Sequence, residues 1–323
     1  MTQADRRSGA RWVHVADDLG PGALDELRGR CPGLQITGGD EPPADSAYDV
    51  LVAGRPAARL LSASAQLRAL VVPHAGVPAD TRDALAERPD ISVRTLHHNA
   101  GPTAELAVAL LLAAAKSLVP ADRDMRTGSW VARFRPPDPT LLLDGRGALV
   151  LGYGAVGRRV ARSLSALGMR VRATRHTAAG VTRDGDVEVH PAAALRALLP
   201  ESVALVVAVP STPDTRGLVG AAELALLPRP AGVVNVARAD IVDEDALYDA
   251  LRGGGLAAGL DVWWTEAQQL ADARGVTASR RPFYELDNVV LSPHRAGGFA
   301  LPEVQALQRQ HLAALLADFT HDD

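Results

Sequence analysis

Three glycines in the segment LVLGYGAVGRRVARSL have the spacing G-x-G-x-x-G, at Gly152, Gly154 and Gly157. The apolar run before them predicts a strand, and the segment after them predicts a helix. In a strand–turn–helix unit the first glycine permits a tight turn, the second lets the backbone approach a pyrophosphate, and the third lets the helix pack on the strand. The helix N-terminus, at Ala155 and Val156, favours an anion. The motif therefore predicts a dinucleotide-binding site.

The end of the next predicted strand, MRVRAT, indicates which dinucleotide is preferred. An acidic residue about 20 residues beyond the glycine motif ordinarily binds the hydroxyls of the adenosine ribose. Here Thr174, Arg175 and His176 occupy that place, and no carboxylate follows until Asp184. A guanidinium binds a 2′-phosphate through charge-assisted hydrogen bonds of about 1.5 to 3 kcal/mol each. The sequence thus favours NADP over NAD, although NAD binding stays open if Arg175 only ends the strand in solvent.

The elements that must position these residues alternate along the chain. Short apolar runs bounded by Gly, Pro and Asp alternate with helical segments, which is typical of parallel α/β sheets. One series runs from WVHVA to ISVRTL and the other from GALVLG to NVVLSPH. A long apolar helix from Pro102 and the Pro-rich segment RFRPPDPT stand between them. The pattern predicts an α/β fold with two doubly wound parallel-sheet domains.

Three segments beyond the glycine motif carry a family resemblance. They are VNVARADIVDEDAL (234–247), GLDVWWTE (259–266) and LSPHRAGG (291–298). In this order, with the glycine motif, they resemble the D-isomer-specific 2-hydroxyacid dehydrogenase family from about Leu67 onward. The resemblance implies a Rossmann nucleotide domain, residues 99–296, inserted into a smaller flavodoxin-like substrate domain, residues 1–98 plus 297–323. It also implies a homodimer.

The resemblance assigns a catalytic role to three of these residues. His294 corresponds to the acid/base, and an imidazole exchanges a proton near neutral pH. Glu266 corresponds to the carboxylate that orients this histidine and favours its protonated form. Arg238 corresponds to the arginine that binds the substrate carboxylate, for which a planar guanidinium is suited. The backbone N–H groups of the substrate-binding loop correspond to Ala75, Gly76 and Val77.

The resemblance also implies contacts with the cofactor. Thr103 and Asp261 correspond to contacts on the nicotinamide side. Val209, Pro210 and Thr215 correspond to contacts on the adenosine and phosphate side. The chain departs from the family pattern at Ala239, where glycine is usual, and in TEAQQLADARG after Asp261, which leaves the course of that loop open.

These residues favour an oxidoreductase that transfers hydride between NADPH, or NADH, and a 2-keto acid or D-2-hydroxy acid. The alternative is a cofactor-sensing binding protein, like relatives that act as corepressors. Formate or phosphite oxidation fits less well, because the formate type has glutamine in place of Glu266 and the phosphite type has a lysine near the PHAGV loop. The arginines of RFRPPD and ASRRPF would favour a second anionic group on the substrate if they reach it, with surface solvation as the alternative.

Composition limits the other classes of function. The chain has 323 residues, and its net charge of −4 gives no basic surface for nucleic acid. The run LAVALLLAAA is shorter than the roughly 20 residues that span a bilayer, and the N-terminal segment has no signal-peptide core. Cys31 is the only cysteine, which indicates a reducing compartment. We therefore expect a cytoplasmic protein that binds neither membrane nor nucleic acid, and no spacing predicts a metal site.

Overall fold

The computed structural model describes residues 11–45, 47–135, 139–265 and 278–319. Within these residues the chain forms two compact units. The first unit joins the residues up to Asn99 with those from Gly298 onward, and the second extends from Ala100 to Gly297.

The described part of the first unit contains a parallel five-stranded sheet in the order β2-β1-β3-β4-β5. Its strands are β1 (Arg11–Val15), β2 (Leu34–Gly38), β3 (Val50–Val52), β4 (Ala69–Val72) and β5 (Ser92–Thr95). Its helices are α1 (Ala23–Arg30), α2 (Ala58–Ala63), α3 (Ala79–Ala86) and, from the far end of the chain, α11 (Pro302–Asp318).

Alternate side chains of this first sheet pack into two separate cores. Val13 and Val15 lie in the core that includes Leu312 of α11, whereas Trp12 lies in the core on the other face. The period of two places successive side chains on opposite faces, so each strand supports both layers. Sequence reasoning missed β2, whose LQITG segment has few apolar residues.

The described part of the second unit contains an eight-stranded sheet in the order β13-β12-β11-β10-β6-β7-β9-β8. Its strands are β6 (Gly147–Leu151), β7 (Arg170–Arg175), β8 (Thr182–Asp184), β9 (Val187–Pro191), β10 (Ala204–Val207), β11 (Ala231–Asn235), β12 (Leu256–Leu260) and β13 (Val289–Leu291). All pairs are parallel except β8 with β9. Its helices are α4 (Ala100–Ala115), α5 (Leu118–Arg126), α6 (Val131–Phe134), α7 (Ala155–Ala166), α8 (Leu195–Leu198), α9 (Ala221–Leu226) and α10 (Glu244–Arg252).

Helix α4 packs directly on the second sheet. It begins at Ala100, two residues before the predicted start, and Pro102 lies in its first turn. A Cβ atom added at Gly259 of β12 would lie 2.7 Å from the Cβ atom of Leu110, so only glycine allows this approach. Among the described residues no single helix could cross a bilayer by length and hydropathy, and α4 with α5 meets that test only as a pair bent by 65°.

The strand order confirms the prediction of two doubly wound, largely parallel sheets. The β8–β9 hairpin is an addition that sequence reasoning did not predict. Its two-residue loop begins with Gly185 at φ 61°, a conformation that glycine adopts readily. The hairpin extends the sheet beyond β7, because β9 pairs with β7 in parallel.

Candidate active site

The predicted functional residues of the second unit lie along one edge of its sheet. The strand register places six residues in one row, and these are Thr174, Leu151, Val207, Asn235, Leu260 and Leu291. Each stands at the carboxyl end of its strand or one residue before it. Open α/β sheets bind ligands at this edge. The register thus brings the glycine turn, Arg175, Arg238, Asp261 and His294 to the same edge.

The three glycines of the turn differ in what surrounds them. Gly152 has φ 104°, and a Cβ atom there would lie 2.6 Å from the carbonyl oxygen of Ala208. At Gly157 a Cβ atom would lie 1.9 Å from the carbonyl oxygen of Gly152. At Gly154 an added Cβ atom meets nothing within 4 Å. The fold itself requires Gly152 and Gly157, and the open space at Gly154 is where a dinucleotide phosphate would fit, before the N-terminus of α7.

Arg175 ends β7 and lines a cavity of about 290 Å³ with Tyr153, Arg158 and Asp184. Tyr153 is 4% exposed, and its hydroxyl donates a hydrogen bond to Asp184 Oδ2 at 3.0 Å. Burial, and then this hydrogen bond, raise the pKa of Tyr153, so the phenol stays protonated. Two cationic side chains and one carboxylate therefore border the place where the sequence predicts the adenosine ribose.

The loop after β10 is held by Thr215. The Thr215 hydroxyl donates to the carbonyl oxygen of Pro210 at 2.7 Å and accepts from the Thr212 N–H at 2.8 Å. Val209 packs next to the glycine turn, because its Cγ1 atom would lie 2.8 Å from a Cβ atom on Gly152. Thr215 thus has a structural role in this loop, beside the predicted cofactor contact.

Arg238 follows β11 in a turn that buried Asn235 organises. The Asn235 side chain donates to the carbonyl oxygen of Arg238 at 2.9 Å and accepts from the N–H of Ala237 at 3.0 Å. The Arg238 side chain is exposed, and its Nη1 donates to the carbonyl oxygen of Ala237 at 2.7 Å. The guanidinium is therefore accessible to an anion at the sheet edge.

Asp261 holds the loop that contains His294. It is fully buried after β12, and it accepts hydrogen bonds from the backbone N–H groups of Arg295 and Ala296, both at 2.9 Å. The Ser292 hydroxyl also donates to it. A carboxylate can accept about four hydrogen bonds. Three of these sites anchor the loop, a role that the sequence reasoning did not foresee.

His294 itself has φ 51°, in the left-handed region. Histidine is among the non-glycine residues enriched there, although the conformation has an energetic cost. The bonds from the next two N–H groups to Asp261 stabilise this backbone. The side chain is half-buried, so part of the residue's surface is accessible to solvent.

Thr103 fixes the other side of the same loop. It is 7% exposed in the first turn of α4. Its hydroxyl donates a hydrogen bond to the carbonyl oxygen of Ala296 at 3.4 Å. Trp263 Nε1 donates to the carbonyl oxygen of Ser292 at 2.7 Å. Contacts from helix, strand end and loop therefore converge on residues 292–296.

Glu266 lies outside the described residues, which resume at Ala278. The arginines that follow are paired elsewhere. The Nε atom of Arg280 donates to Glu244 at 2.9 Å and that of Arg281 donates to Asp245 at 2.6 Å, both in the first turn of α10. These pairs argue against a contact of the ASRRPF arginines with substrate, and they hold the two side chains at the surface beside α10 instead of leaving them simply solvated.

The predicted substrate loop, Ala75–Val77, follows β4 in the first unit. The Gln308 side chain donates to the carbonyl oxygen of Pro73 at 2.8 Å and so fixes the strand end before the loop. The preceding His74 approaches Gly54, where an added Cβ atom would lie 2.6 Å from His74 Nε2 and 3.1 Å from Asp17 Oδ2. Burial raises the pKa of Asp17, and the charge of His74 opposes that shift.

Sequence reasoning missed four residues at these sites: Tyr153, Asp184, Asn235 and Ser292. Asn235 and Ser292 stand inside quoted motifs, directly at the ends of predicted strands, and polar residues there were the available signal. Among the described residues no group of three His, Cys, Asp or Glu side chains is placed to hold a metal ion.

Comparison with known proteins identifies the class to which this site belongs. A family model described as the NAD binding domain of D-isomer specific 2-hydroxyacid dehydrogenase matches residues 108–296. The chain belongs to the D-isomer specific 2-hydroxyacid dehydrogenase family, so the resemblance seen in the sequence is confirmed.

Two curated relatives have named activities. A glyoxylate reductase from Thermococcus onnurineus (strain NA1) is 36% identical over 198 residues, which are 59% of this chain and 55% of that protein. A D-3-phosphoglycerate dehydrogenase from Archaeoglobus fulgidus (strain ATCC 49558 / DSM 4304 / JCM 9628 / NBRC 100126 / VC-16) is 33% identical over 302 residues, which are 88% of this chain and 53% of that protein. The chain therefore spans about half the length of these relatives.

A solved structure covers nearly the whole chain. The D-isomer specific 2-hydroxyacid dehydrogenase from Xanthobacter autotrophicus Py2, solved in complex with NADPH and MES, is 27% identical. The match has a TM-score of 0.73 and covers 95% of this chain and 94% of that one. The fold class predicted from the sequence is that of this relative.

Proposed function

We propose that the protein is an NADPH-preferring reductase of 2-keto acids, which also runs in reverse as a D-2-hydroxyacid dehydrogenase. The observation that carries this proposal is the convergence of Arg238, Asp261 and His294 on three neighbouring strand ends, along the edge where the glycine turn lies. The first unit is then the substrate domain and the second the nucleotide domain.

The cofactor would be held by the second unit. The turn at Gly152–Gly157 and the N-terminus of α7 would bind its phosphates, and Arg175 its 2′-phosphate. The space at Gly154, where an added Cβ atom meets nothing within 4 Å, supports this fit. The NADPH in the Xanthobacter relative is consistent with it. When bound, the nicotinamide supplies the hydride.

The chain's own residues would bind and protonate the substrate. Arg238 binds the carboxylate and polarises the keto oxygen, and the N–H groups of Ala75–Val77 bind the other carboxylate oxygen. His294 gives its proton to the keto oxygen as the hydroxyl forms, and takes it back in the reverse reaction. Glu266 orients His294 and favours the protonated imidazole.

Asp261 acts chiefly as a positioning residue in this proposal. Its bonds to Ser292, Arg295 and Ala296 hold the His294 loop. The carboxylate keeps capacity for one more hydrogen bond, which we assign to the nicotinamide carboxamide. Thr103, Val209, Pro210 and Thr215 line the remaining cofactor path.

The substrate, by the same proposal, is a small 2-keto acid of the glyoxylate type. The relatives named as glyoxylate reductases support this choice. Arg280 and Arg281 are engaged with Glu244 and Asp245, which argues against their binding a second anionic group. Cys31 is a buried free thiol, consistent with a reducing cytoplasmic compartment.

We also propose a homodimer that forms through the second unit. Apolar side chains of α5, of α6 and of the residue before α6 are exposed, among them Leu118 at 57%, Trp130 at 59% and Phe134 at 77%. Exposed apolar patches mark association surfaces. Sedimentation of wild type against Phe134→Glu tests this, because a dimer should dissociate in the variant, whereas equal masses would contradict the proposal.

The test of activity is to titrate NADPH and NADH separately by nicotinamide fluorescence and then add a panel of 2-keto acids. We expect tighter binding of NADPH, oxidation of it on adding glyoxylate, and NADPH affinity at least tenfold weaker in Arg175→Gln. Arg196→Gln, a surface arginine paired with Glu223, is the matched control. Cofactor binding without turnover of any acid would favour the cofactor-sensing protein instead.

A further inference from the structure

A carboxylate lies in the cavity where the sequence predicted only cations. Asp184 lines the cavity of about 290 Å³ together with Arg175, Arg158 and Thr182. It stands nine residues after Arg175 and reaches the cavity because the β8–β9 hairpin folds beside β7. No acidic residue follows β7 directly in the sequence, but Asp184 lies near the end of this strand in the fold.

The carboxylate is held at this place by the glycine turn itself. Tyr153, between Gly152 and Gly154, donates its hydroxyl to Asp184 Oδ2 at 3.0 Å. The guanidinium carbon of Arg158 lies 5.7 Å from the centre of the Tyr153 ring, a distance at which a cation and an aromatic face attract. Tyr153 thus connects the phosphate-binding turn with Arg158 and Asp184 of the cavity wall.

The charge of Asp184 is not neutralised by its neighbour on the hairpin. Arg183 pairs with Glu188 on β9. Among the described residues none forms an ion pair with Asp184 within 4 Å. The carboxylate is exposed, and its negative charge acts on whatever occupies the cavity.

We propose that Asp184 is a specificity-determining residue that limits the preference of this site for a 2′-phosphorylated cofactor. The inference rests on the proposed function, because it assumes that Arg175 and Arg158 face the adenosine ribose. A carboxylate repels the phosphate dianion of NADPH and leaves the uncharged 2′-hydroxyl of NADH unaffected. The cavity thereby accepts both cofactors, with NADPH favoured only by the excess of cations.

The test measures cofactor affinity, not turnover. In Asp184→Asn we expect NADPH to bind about fivefold more tightly at low salt, from the Coulomb energy between one unit charge and the phosphate dianion at about 8 Å in water-like dielectric. The affinity for NADH should stay within twofold. Asp186→Asn, which removes an equal charge from the hairpin loop outside the cavity wall, is the matched control and should tighten NADPH binding by less than Asp184→Asn does.

Three further measurements keep the result interpretable. The gain of Asp184→Asn should shrink as salt is raised towards 1 M, where exposed charges are screened, and thermal unfolding shows whether the variant folds. Tyr153→Phe removes the hydrogen bond that holds the Asp184 carboxylate but leaves its charge unchanged. It should shift the ratio of NADPH affinity to NADH affinity in the same direction as Asp184→Asn, by a smaller factor. A variant that does not fold is replaced by Asp184→Ser, for which the same gain is expected.

The outcomes separate the two proposals. If Arg175→Gln weakens NADPH binding while Asp184→Asn leaves the ratio of affinities unchanged, the inference about Asp184 is wrong and the cofactor proposal stands. If Arg175→Gln has no effect on NADPH either, the placement of the 2′-phosphate is wrong and both fall. An equal gain for Asp184→Asn and Asp186→Asn would mean a general charge effect and would also overturn the inference.

Discussion

The loop around His294 and the cavity around Arg175 lie along the same sheet edge but are built differently. Residues 292–296 are held by a fully buried carboxylate, Asp261, through two backbone N–H groups and a serine hydroxyl. The cavity wall is made of exposed or half-buried charged side chains, and among the described residues their one side-chain hydrogen bond joins Asp184 to Tyr153.

The difference separates two demands on an enzyme of this family. The acid/base role that we propose for His294 requires the residue to stay at one place, and its backbone is fixed by bonds that are strong because they are buried and involve a charge. A site for the adenosine end only has to balance charge. We therefore expect changes at the loop to be large and structural, and changes at the cavity to be smaller and electrostatic.

The largest effect is expected at His294. His294→Ala should lower turnover of a 2-keto acid by about 10² to 10⁴, the usual contribution of a positioned acid/base. Cofactor affinity should stay the same, because Asp261 binds the loop through main-chain groups. Stopped-flow reduction and fluorescence titration measure the two quantities, with His311→Ala, an exposed histidine on α11, as the control. Turnover within tenfold of wild type would remove His294 from the mechanism.

Asp261→Asn tests the buried anchor. The amide has one acceptor oxygen and presents an NH₂ group to donors, so at least one of the three donors loses its partner. We expect the free energy of unfolding to fall by about 3 kcal/mol, because a buried donor is left without a partner and the other hydrogen bonds lose their charged acceptor. Urea unfolding gives the value, and Asp287→Asn, at an exposed pair with Arg123, should change it little. Equal effects in both variants would mean that the loop does not depend on Asp261.

The glycine turn allows a comparison within one motif. Gly157→Ala places a methyl group 1.9 Å from a carbonyl oxygen and should destabilise the protein by about 2 to 3 kcal/mol. Gly154→Ala meets no protein atom and should change stability by less than about 1 kcal/mol, while cofactor affinity falls at least tenfold. Thermal unfolding and cofactor titration distinguish the two, and the reverse pattern would contradict the assignment of Gly154 to the cofactor.

The smallest effect is expected at Tyr153. Tyr153→Phe removes only the hydrogen bond to Asp184 and should lower the free energy of unfolding by about 1 kcal/mol. Tyr248→Phe is a suitable control, since within the described residues the Tyr248 hydroxyl forms no hydrogen bond and its ring packs on Phe283. A loss at Tyr153 as large as that at Asp261 would mean that the two regions do not differ in the way described.

Much of the fold was predictable because its signals are local. Apolar runs predicted the central strands, and the G-x-G-x-x-G spacing placed the turn between β6 and α7, as observed. The weak points were β2 and the β8–β9 hairpin. Neither has a continuous apolar run, because LQITG and TRDGDVEVHP lie at or near sheet edges, where fewer side chains are buried.

The sequence by itself indicated which residues end the central strands, since periodicity and glycine spacing depend on neighbours along the chain. It thereby indicated Gly152, Arg175, Arg238, Asp261 and His294 as candidates. Only the tertiary structure decided what surrounds them. Asp261 accepts hydrogen bonds from the N–H groups of residues more than 30 positions away. Asp184 lines the same cavity as Arg175 because the β8–β9 hairpin places it there. Such contacts depend on how strands pair and helices pack, and a local sequence pattern does not predict this long-range arrangement.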